Sequence, residues 1–398
     1  MLKNMKNRRK KAKSSPSESN YLPPEIWTHI LSLLPAKTIL ICRCVCKSWC
    51  SIIDNPDFVH LHLQLSQINY GNNQLLQIVE GLSNYDHKQW WFTLLHSETL
   101  QSTVRIFLQS GLYSYLILGS CNGLLLLLQY DKYHSNEEFI LWNPCICKSL
   151  LLPTSPLPNS ILFSTYLLGY ASNSKDYKVV VFSSFENTRG NLQFAVYTLR
   201  DQLWTVRNMD ITITSTSMFE YFSLLIDVFF RGGAYWLANN DNQGSGLLTH
   251  LGSFDFDKER FAFLELPISL DKTSSFKFLF LLGKSLAVFT ISKVSTSIWV
   301  LEQDNIKRPW TLWFSGKSSR NGYKLFELCY SKKEKVFFFE RDGGYFVCTN
   351  STYNIATGKV QVLNKYKSTF SQLERYSESL VLSKGYGVPK HVQQIGWH

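Results

Sequence analysis

One unit recurs along most of this chain: an alternating strand, a polar turn of a few residues, and a second apolar strand. It reads LWNPCICKSLLLP at 141–153, VYTLRDQLWTV at 196–206, SFDFDKERFAFLELP at 253–267, SIWVLEQDNIKRPWTLWF at 297–314 and TYNIATGKVQVL at 352–363. Aligned on Trp142, Tyr197, Phe254, Trp299 and Tyr353, successive copies lie 55, 57, 45 and 54 residues apart. An earlier strand precedes each copy: NGLLLLL (122–128), DYKVVVF (176–182), GGAYWLA (232–238), GKSLAVF (283–289) and EKVFFFE (334–340). A weaker sixth copy spans NQLLQIVEGLSNYDHKQWWFTLLHSE (73–98). A unit that repeats at a fixed period cannot bury its apolar face alone and must stack on its neighbours.

A period of roughly fifty residues carrying about four strands is the pattern of a kelch-type propeller blade, whose radial packing leaves only short sheet edges. The region after residue 65 supplies six or seven such blades; a pair of β-sandwiches is the alternative architecture. Aromatic residues make up 15% of the chain, which suits strands more than helices. Trp90, Trp91, Trp204, Trp236, Trp299, Trp310 and Trp313 are expected mainly in blade cores, with the connecting loops as the expected place of specificity.

Residues 21 to about 65 read differently. YLPPEIWTHILSLLPAK opens with Pro23-Pro24, suited to a helix start. Ile26, Ile30, Leu31 and Leu34 recur on one helical face, and Pro35 stops that helix. A second short helix carries Thr38, Ile39 and Leu40. VCKSWCSII places Val45, Trp49, Ile52 and Ile53 on one face of a further helix, which Asp54-Asn55-Pro56 ends. So small a unit, apolar on several faces, has surface left over for a partner.

LPPEIWTHILSLLPAKTILICRCVCKSWCSIIDNPDFVHLHL (22–63) resembles an F-box. The family pattern is matched at Leu22, Pro23, Glu25, Ile30, Leu31, Leu34, Pro35, Lys37, Leu40, Arg43, Cys44, Val45, Lys47, Trp49, Ile53, Pro56 and Phe58. Leu33 departs from a frequent Arg, Cys46 from a usual Ser, and Ile41-Cys42 from a common Arg-Phe. In the β region CNGLLLL, ILWNP, YLLGYASNSKDYKVV, VYTLRDQLWTV and GGAYWL resemble, in order, the F-box-associated domain of plant F-box proteins. The expected fold is therefore α+β multidomain: a basic tail (1–20), a small helical F-box (21–65), and an all-β, propeller-like kelch-type repeat domain (66–385).

The resemblance implies a substrate-recognition subunit of an SCF-type ubiquitin ligase. It docks a Skp-family adaptor, and cullin through it, by the F-box, and holds an unknown protein target on the β domain. Leu22, Pro23, Ile26, Ile30, Leu31, Pro35, Leu40, Val45 and Trp49 are the expected docking face and its supporting core. The alternative is a nuclear scaffold without ligase assembly. Neither reading requires a catalytic residue, a cofactor or a metal.

CRCVCKSWC (42–50) holds four of the nine cysteines. On one unbroken helix Cys42, Cys46 and Cys50 would share a face. Zinc sites, however, pair such cysteines with a second Cys or His pair further on, and none follows. Structural or surface thiols are expected. LLGKS (281–285) and SGKS (315–318) lack the upstream glycine of a phosphate loop and read as strand-entry turns. HExxH, GxSxG and DxDxDG do not occur. The first thirteen residues hold seven Lys or Arg and no acid, leaving 34 basic against 30 acidic groups elsewhere. The basicity thus belongs to a tail, with RRKKAK (8–13) a candidate nuclear signal and nucleic-acid contact unexpected. With no apolar segment behind that tail and no long apolar run, the expected setting is nucleus or cytoplasm, with free thiols and no membrane span.

Overall fold

The computed structural model describes residues 22–69, 74–82, 88–96, 102–108, 113–131, 137–157, 164–183, 193–209, 228–238, 248–267, 276–291, 295–302, 309–317, 324–331, 335–341, 348–354, 359–366 and 370–382. Four helices come first: α1 (Pro24–Ser32), α2 (Ala36–Arg43), α3 (Lys47–Ile53) and α4 (Pro56–Asn69). Prolines set three of the starts. Pro24 and Pro56 occupy first helical positions and Pro35 stands just before α2, where a missing N–H leaves no bond unmade. Asn55 Oδ1 accepts the Asp57 N–H at 2.9 Å, capping α4. Asp54-Asn55-Pro56 therefore both ends α3 and begins a fourth helix of 14 residues.

Among the described residues twenty-four strands follow, in six four-stranded antiparallel sheets. Blade I holds β1 (Gln74–Leu82), β2 (Lys88–His96) and β3 (Ser102–Leu108). Blade II is β4 (Tyr113–Cys121), β5 (Leu124–Asp131), β6 (Glu137–Asn143) and β7 (Lys148–Leu151). Blade III is β8 (Ser164–Ala171), β9 (Asp176–Ser183), β10 (Gln193–Thr198) and β11 (Leu203–Asn208). Blade IV is β12 (Val228–Phe230), β13 (Gly233–Ala238), β14 (His250–Asp255) and β15 (Arg260–Glu265). Blade V is β16 (Phe276–Leu282), β17 (Ser285–Ile291), β18 (Ser295–Leu301) and β19 (Trp310–Lys317). Blade VI is β20 (Lys324–Ser331), β21 (Lys335–Arg341), β22 (Cys348–Asn354) and β23 (Lys359–Tyr366).

The last strand, β24 (Phe370–Tyr376), returns to blade I and pairs with β1 from Gln74↔Tyr376 to Glu80↔Phe370. It also lies against β4 and β20, while β4 meets β8, β12 meets β16 and β16 meets β20. The first strand of blades II to VI, and β24 in blade I, thus line the axis, and β24 closes the ring on blade I. This is a six-bladed β-propeller. Burial falls from axis to rim: β4 and β8 are almost wholly buried, whereas β11 and β15 are largely exposed.

The five quoted repeats are the third-to-fourth strand hairpins of blades II to VI, and the weaker sixth copy is β1–β2. LLGKS holds the β16–β17 turn, with Gly283 at φ +62°. SGKS differs from its expected turn: Ser315–Lys317 are the last residues of β19. Between blades III and IV the core is aromatic. Phe182, Phe194, Trp236, Phe254, Phe256 and Phe261 form a continuous set with edge-on pairs such as Phe194–Phe261 at 5.2 Å, a geometry that ring quadrupoles favour. Lys178, buried on β9, crosses the same seam to Glu259 at 2.8 Å and to the Phe256 carbonyl at 3.0 Å. The buried charge is thereby paired and hydrogen-bonded.

Candidate protein-docking face

The helical unit folds around a small core. Leu31, Ala36, Ile39, Ile53 and Phe58 are fully or almost fully buried. Trp27 tilts against Trp49 with ring centroids 4.9 Å apart, joining α1 to α3. Arg43, near the end of α2, meets the Asp54 carboxylate with two bonds of 2.7 and 2.9 Å. The Asp54 hydrogen bond holds the Arg43 guanidinium pKa above its ordinary value. His62 of α4 reaches back to the Leu34 carbonyl, in the α1–α2 corner, at 2.8 Å.

That core leaves a second, apolar set outside. Leu22, Ile26, Ile30, Leu33, Ile41 and Val45 are all exposed, with Ile41 at 70% and Val45 at 63%. The described residues include eleven large hydrophobics in this condition, and six of them fall within residues 22–45. Scattered singles are ordinary on a protein surface; six on one small module make this its candidate docking face.

The expected docking residues divide accordingly. Leu22, Pro23, Ile26, Ile30, Pro35 and Val45 are exposed, Leu40 and Trp49 half-buried, and Leu31 fully buried as support. α1 does not present Ile26, Ile30, Leu31 and Leu34 as a single stripe. Ile26 and Ile30, one turn apart, point outward, while Leu31 is buried and Trp27 and Leu34 are partly so. The i, i+4, i+7 spacing of Trp27, Leu31 and Leu34 is the signal that finds the inner face. Val45 is likewise not on the α3 face with Trp49, because it precedes α3 in an exposed link. Leu33 and Ile41 complete the outer set.

The cysteine run does not form one helix. Cys44 caps the end of α2, and Cys46 is extended, at φ −155° and ψ 163°. The Cys46 sulfur accepts the Trp49 N–H at 3.5 Å, serving as the N-cap of α3. Cys42, Cys44, Cys46, Cys50, Cys121, Cys145 and Cys147 are free thiols. Among the described residues no group of three or more His, Cys, Asp or Glu is placed to hold a metal ion, and no helix is long and apolar enough to cross a membrane. The Cys145 thiol and the Tyr177 and Tyr376 phenols are pushed well up in pKa, chiefly by burial, the direction that disarms a nucleophile.

The chain thus joins a helical module that offers apolar side chains to solvent to a closed propeller. The family model described as the F-box associated beta propeller domain matches residues 98–384, and the F-box domain model matches residues 20–61. The chain belongs to the family of F-box proteins with an F-box associated beta propeller domain. Among relatives from Arabidopsis thaliana, a probable F-box protein is 26% identical, the match covering 62% of this chain and 56% of that protein. An F-box/kelch-repeat protein is 27% identical over 62% of this chain and 65% of its own length. A putative F-box/kelch-repeat protein is 25% identical over 82% and 80%. The chain thus spans between 56% and 65% of the length of the first curated relatives it matches. Among solved structures, the beta-propeller domain of the Trilobed protease from Pyrococcus furiosus aligns with a TM-score of 0.40 at 8% identity, covering 73% of this chain and 92% of that one.

Proposed function

We propose that this protein is the substrate-recognition subunit of an SCF-type ubiquitin ligase. The F-box docks a Skp-family adaptor, the adaptor joins it to cullin, and the propeller holds a target protein for ubiquitination. The observation that carries this reading is the outward set Leu22, Ile26, Ile30, Leu33, Ile41 and Val45 on the F-box. Burying a large aliphatic side chain contributes about 1.5–3 kcal/mol, so a few anchors on this face account for a specific complex.

No side chain of this protein needs to act as acid, base or nucleophile. Its contribution is proximity: a target held at fixed distance from a ubiquitin thioester reacts as though at high local concentration. The target rests on the propeller, away from the docking face. RRKKAK (8–13) lies outside the described residues; as a basic run it supports a nuclear signal, and the setting we infer is nucleus, cytoplasm or both.

Capture of the adaptor and cullin by the full chain tests this reading. Wild-type protein retains both, and the double substitution Leu22→Ala, Pro23→Ala loses both while the propeller stays folded. Retention of adaptor without cullin favours the non-ligase scaffold instead.

A further inference from the structure

After β24 the chain continues across blade II. Ser379, Leu380, Val381 and Leu382 are all buried there. Asn143, fully buried at the end of β6, holds this segment through its amide nitrogen: Nδ2 donates to the Ser379 carbonyl at 3.0 Å, the Ser379 hydroxyl at 3.1 Å and the Val381 carbonyl at 2.8 Å. Its Oδ1 serves the blade instead, accepting from the Cys145 N–H at 3.0 Å and the Tyr376 hydroxyl at 3.4 Å. Gly123, in the β4–β5 turn at φ +80°, is the second point of closeness. A Cβ there would lie 2.3 Å from the Ser377 carbonyl and 2.6 Å from the Ser379 hydroxyl.

The same segment also lies near the F-box. The Glu378 carboxylate accepts the Cys145 thiol and lies in electrostatic reach of His62 on α4, while Lys37 of α2 acts on Cys145. Leu31, Ala36, Ile39, Ile53 and Phe58 of the F-box share one continuous apolar cluster with Tyr376, Leu380, Val381 and Leu382. α4 adds two contacts to blade III: the His60 ring stacks on Tyr170 at 6.1 Å, and Asp57 meets Lys175 at 3.5 Å. The ion pair is exposed and contributes little by itself.

We propose that residues 377–382, clamped by Asn143, are the bracket that fixes the F-box on the propeller, so that the orientation of the docking face depends on closure of the ring by β24. Asn143 is then a positioning residue: it touches neither adaptor nor target and acts through the bracket. A chain whose last strand is not seated keeps an adaptor-competent F-box but presents it without a defined direction. The bracket stands on its own geometry; its bearing on ubiquitin transfer rests on the function proposed above.

Hydrogen exchange of the full chain tests it, comparing wild type with Asn143→Asp and with a chain ending at Tyr376. Asn143→Asp keeps the oxygen that serves Cys145 and Tyr376 but turns a second oxygen toward two carbonyls. In both variants α4 is expected to exchange at least about tenfold faster, with β9 and β10 unchanged. Unaltered exchange in α4 in both variants overturns the proposal. So does an equal loss of protection in β9, β10 and α4 in both, because the segment would then support the propeller as a whole and not the F-box link. Adaptor capture is scored separately on wild type: its absence contradicts the ligase reading and leaves the exchange comparison intact.

Discussion

His62 donates its Nε2–H to the Leu34 carbonyl at 2.8 Å, while its Nδ1 is buried with no hydrogen-bond partner. Burial lowers the pKa of this imidazole below its ordinary value, against the opposing pull of the Leu34 bond and of Glu378. In the folded chain the ring is therefore neutral where the unfolded chain already protonates it. Below about pH 6.5 the unfolded state binds the extra proton, so stability is lost as pH falls from there toward the lowered folded value, and is constant above. Thermal unfolding between pH 7 and 5 is expected to shift downward in wild type and to shift less in His62→Gln, whose amide can still donate to Leu34. Equal slopes in the two proteins would contradict the assignment.

The two bonds between Arg43 and Asp54 tie the end of α2 to the end of α3. Neither partner belongs to the outward apolar set. Asp54→Ala is expected to destabilise the F-box by about 1 kcal/mol, the scale of a partly exposed, charge-assisted pair, and to leave adaptor affinity within about threefold at a temperature where the module is folded. Denaturant melts and a binding isotherm on the same sample check both.

Two rim tryptophans repeat one contact. Trp204 Nε1 donates to the Pro153 carbonyl at 2.8 Å, and Trp310 Nε1 donates to the Glu265 carbonyl at 2.9 Å, each reaching from its blade to the blade before it. Trp204→Phe removes that donor and keeps most of the ring. A loss of about 1 kcal/mol in propeller stability is expected, with the F-box face unaffected. A larger loss would place the role of Trp204 in packing and not in the hydrogen bond.

Leu31 and Ile41 separate support from contact. Leu31→Ala empties a fully buried site and is expected to cost about 2–5 kcal/mol of stability. Ile41→Ala, at a side chain 70% exposed, is expected to change stability by less than about 0.5 kcal/mol while weakening adaptor binding about tenfold or more. Chemical denaturation beside calorimetric titration distinguishes the two classes of residue.

How far the fold was legible depended on burial. Third and fourth strands such as those of VYTLRDQLWTV announce themselves by alternation and polar turns, and second strands such as DYKVVVF by their regular spacing ahead of them. The innermost strands, among them β4 and β16, are apolar nearly throughout, and a continuous apolar run carries no period. The return of β24 to β1 leaves no local mark at all, since Tyr376 and Gln74 pair across almost the whole propeller. In the F-box, Pro56 was legible as a stop but serves equally as a start. Ile41 escaped because Ile39, Leu40 and Ile41 are consecutive, and three adjacent apolar residues do not say which one faces out. The break between Arg43 and Lys47, set by the extended Cys46, is why the four clustered cysteines share no face.

The central claim is that the exposed aliphatic side chains of residues 22–45 seat the Skp-family adaptor. Titration of purified adaptor into the full chain, wild type against the double variant Ile41→Asp, Val45→Asp, tests it most directly. Both positions are exposed, so the variant is expected to unfold within a degree or two of wild type and to bind at least about a hundredfold more weakly. Equal affinity in the two proteins would contradict the account.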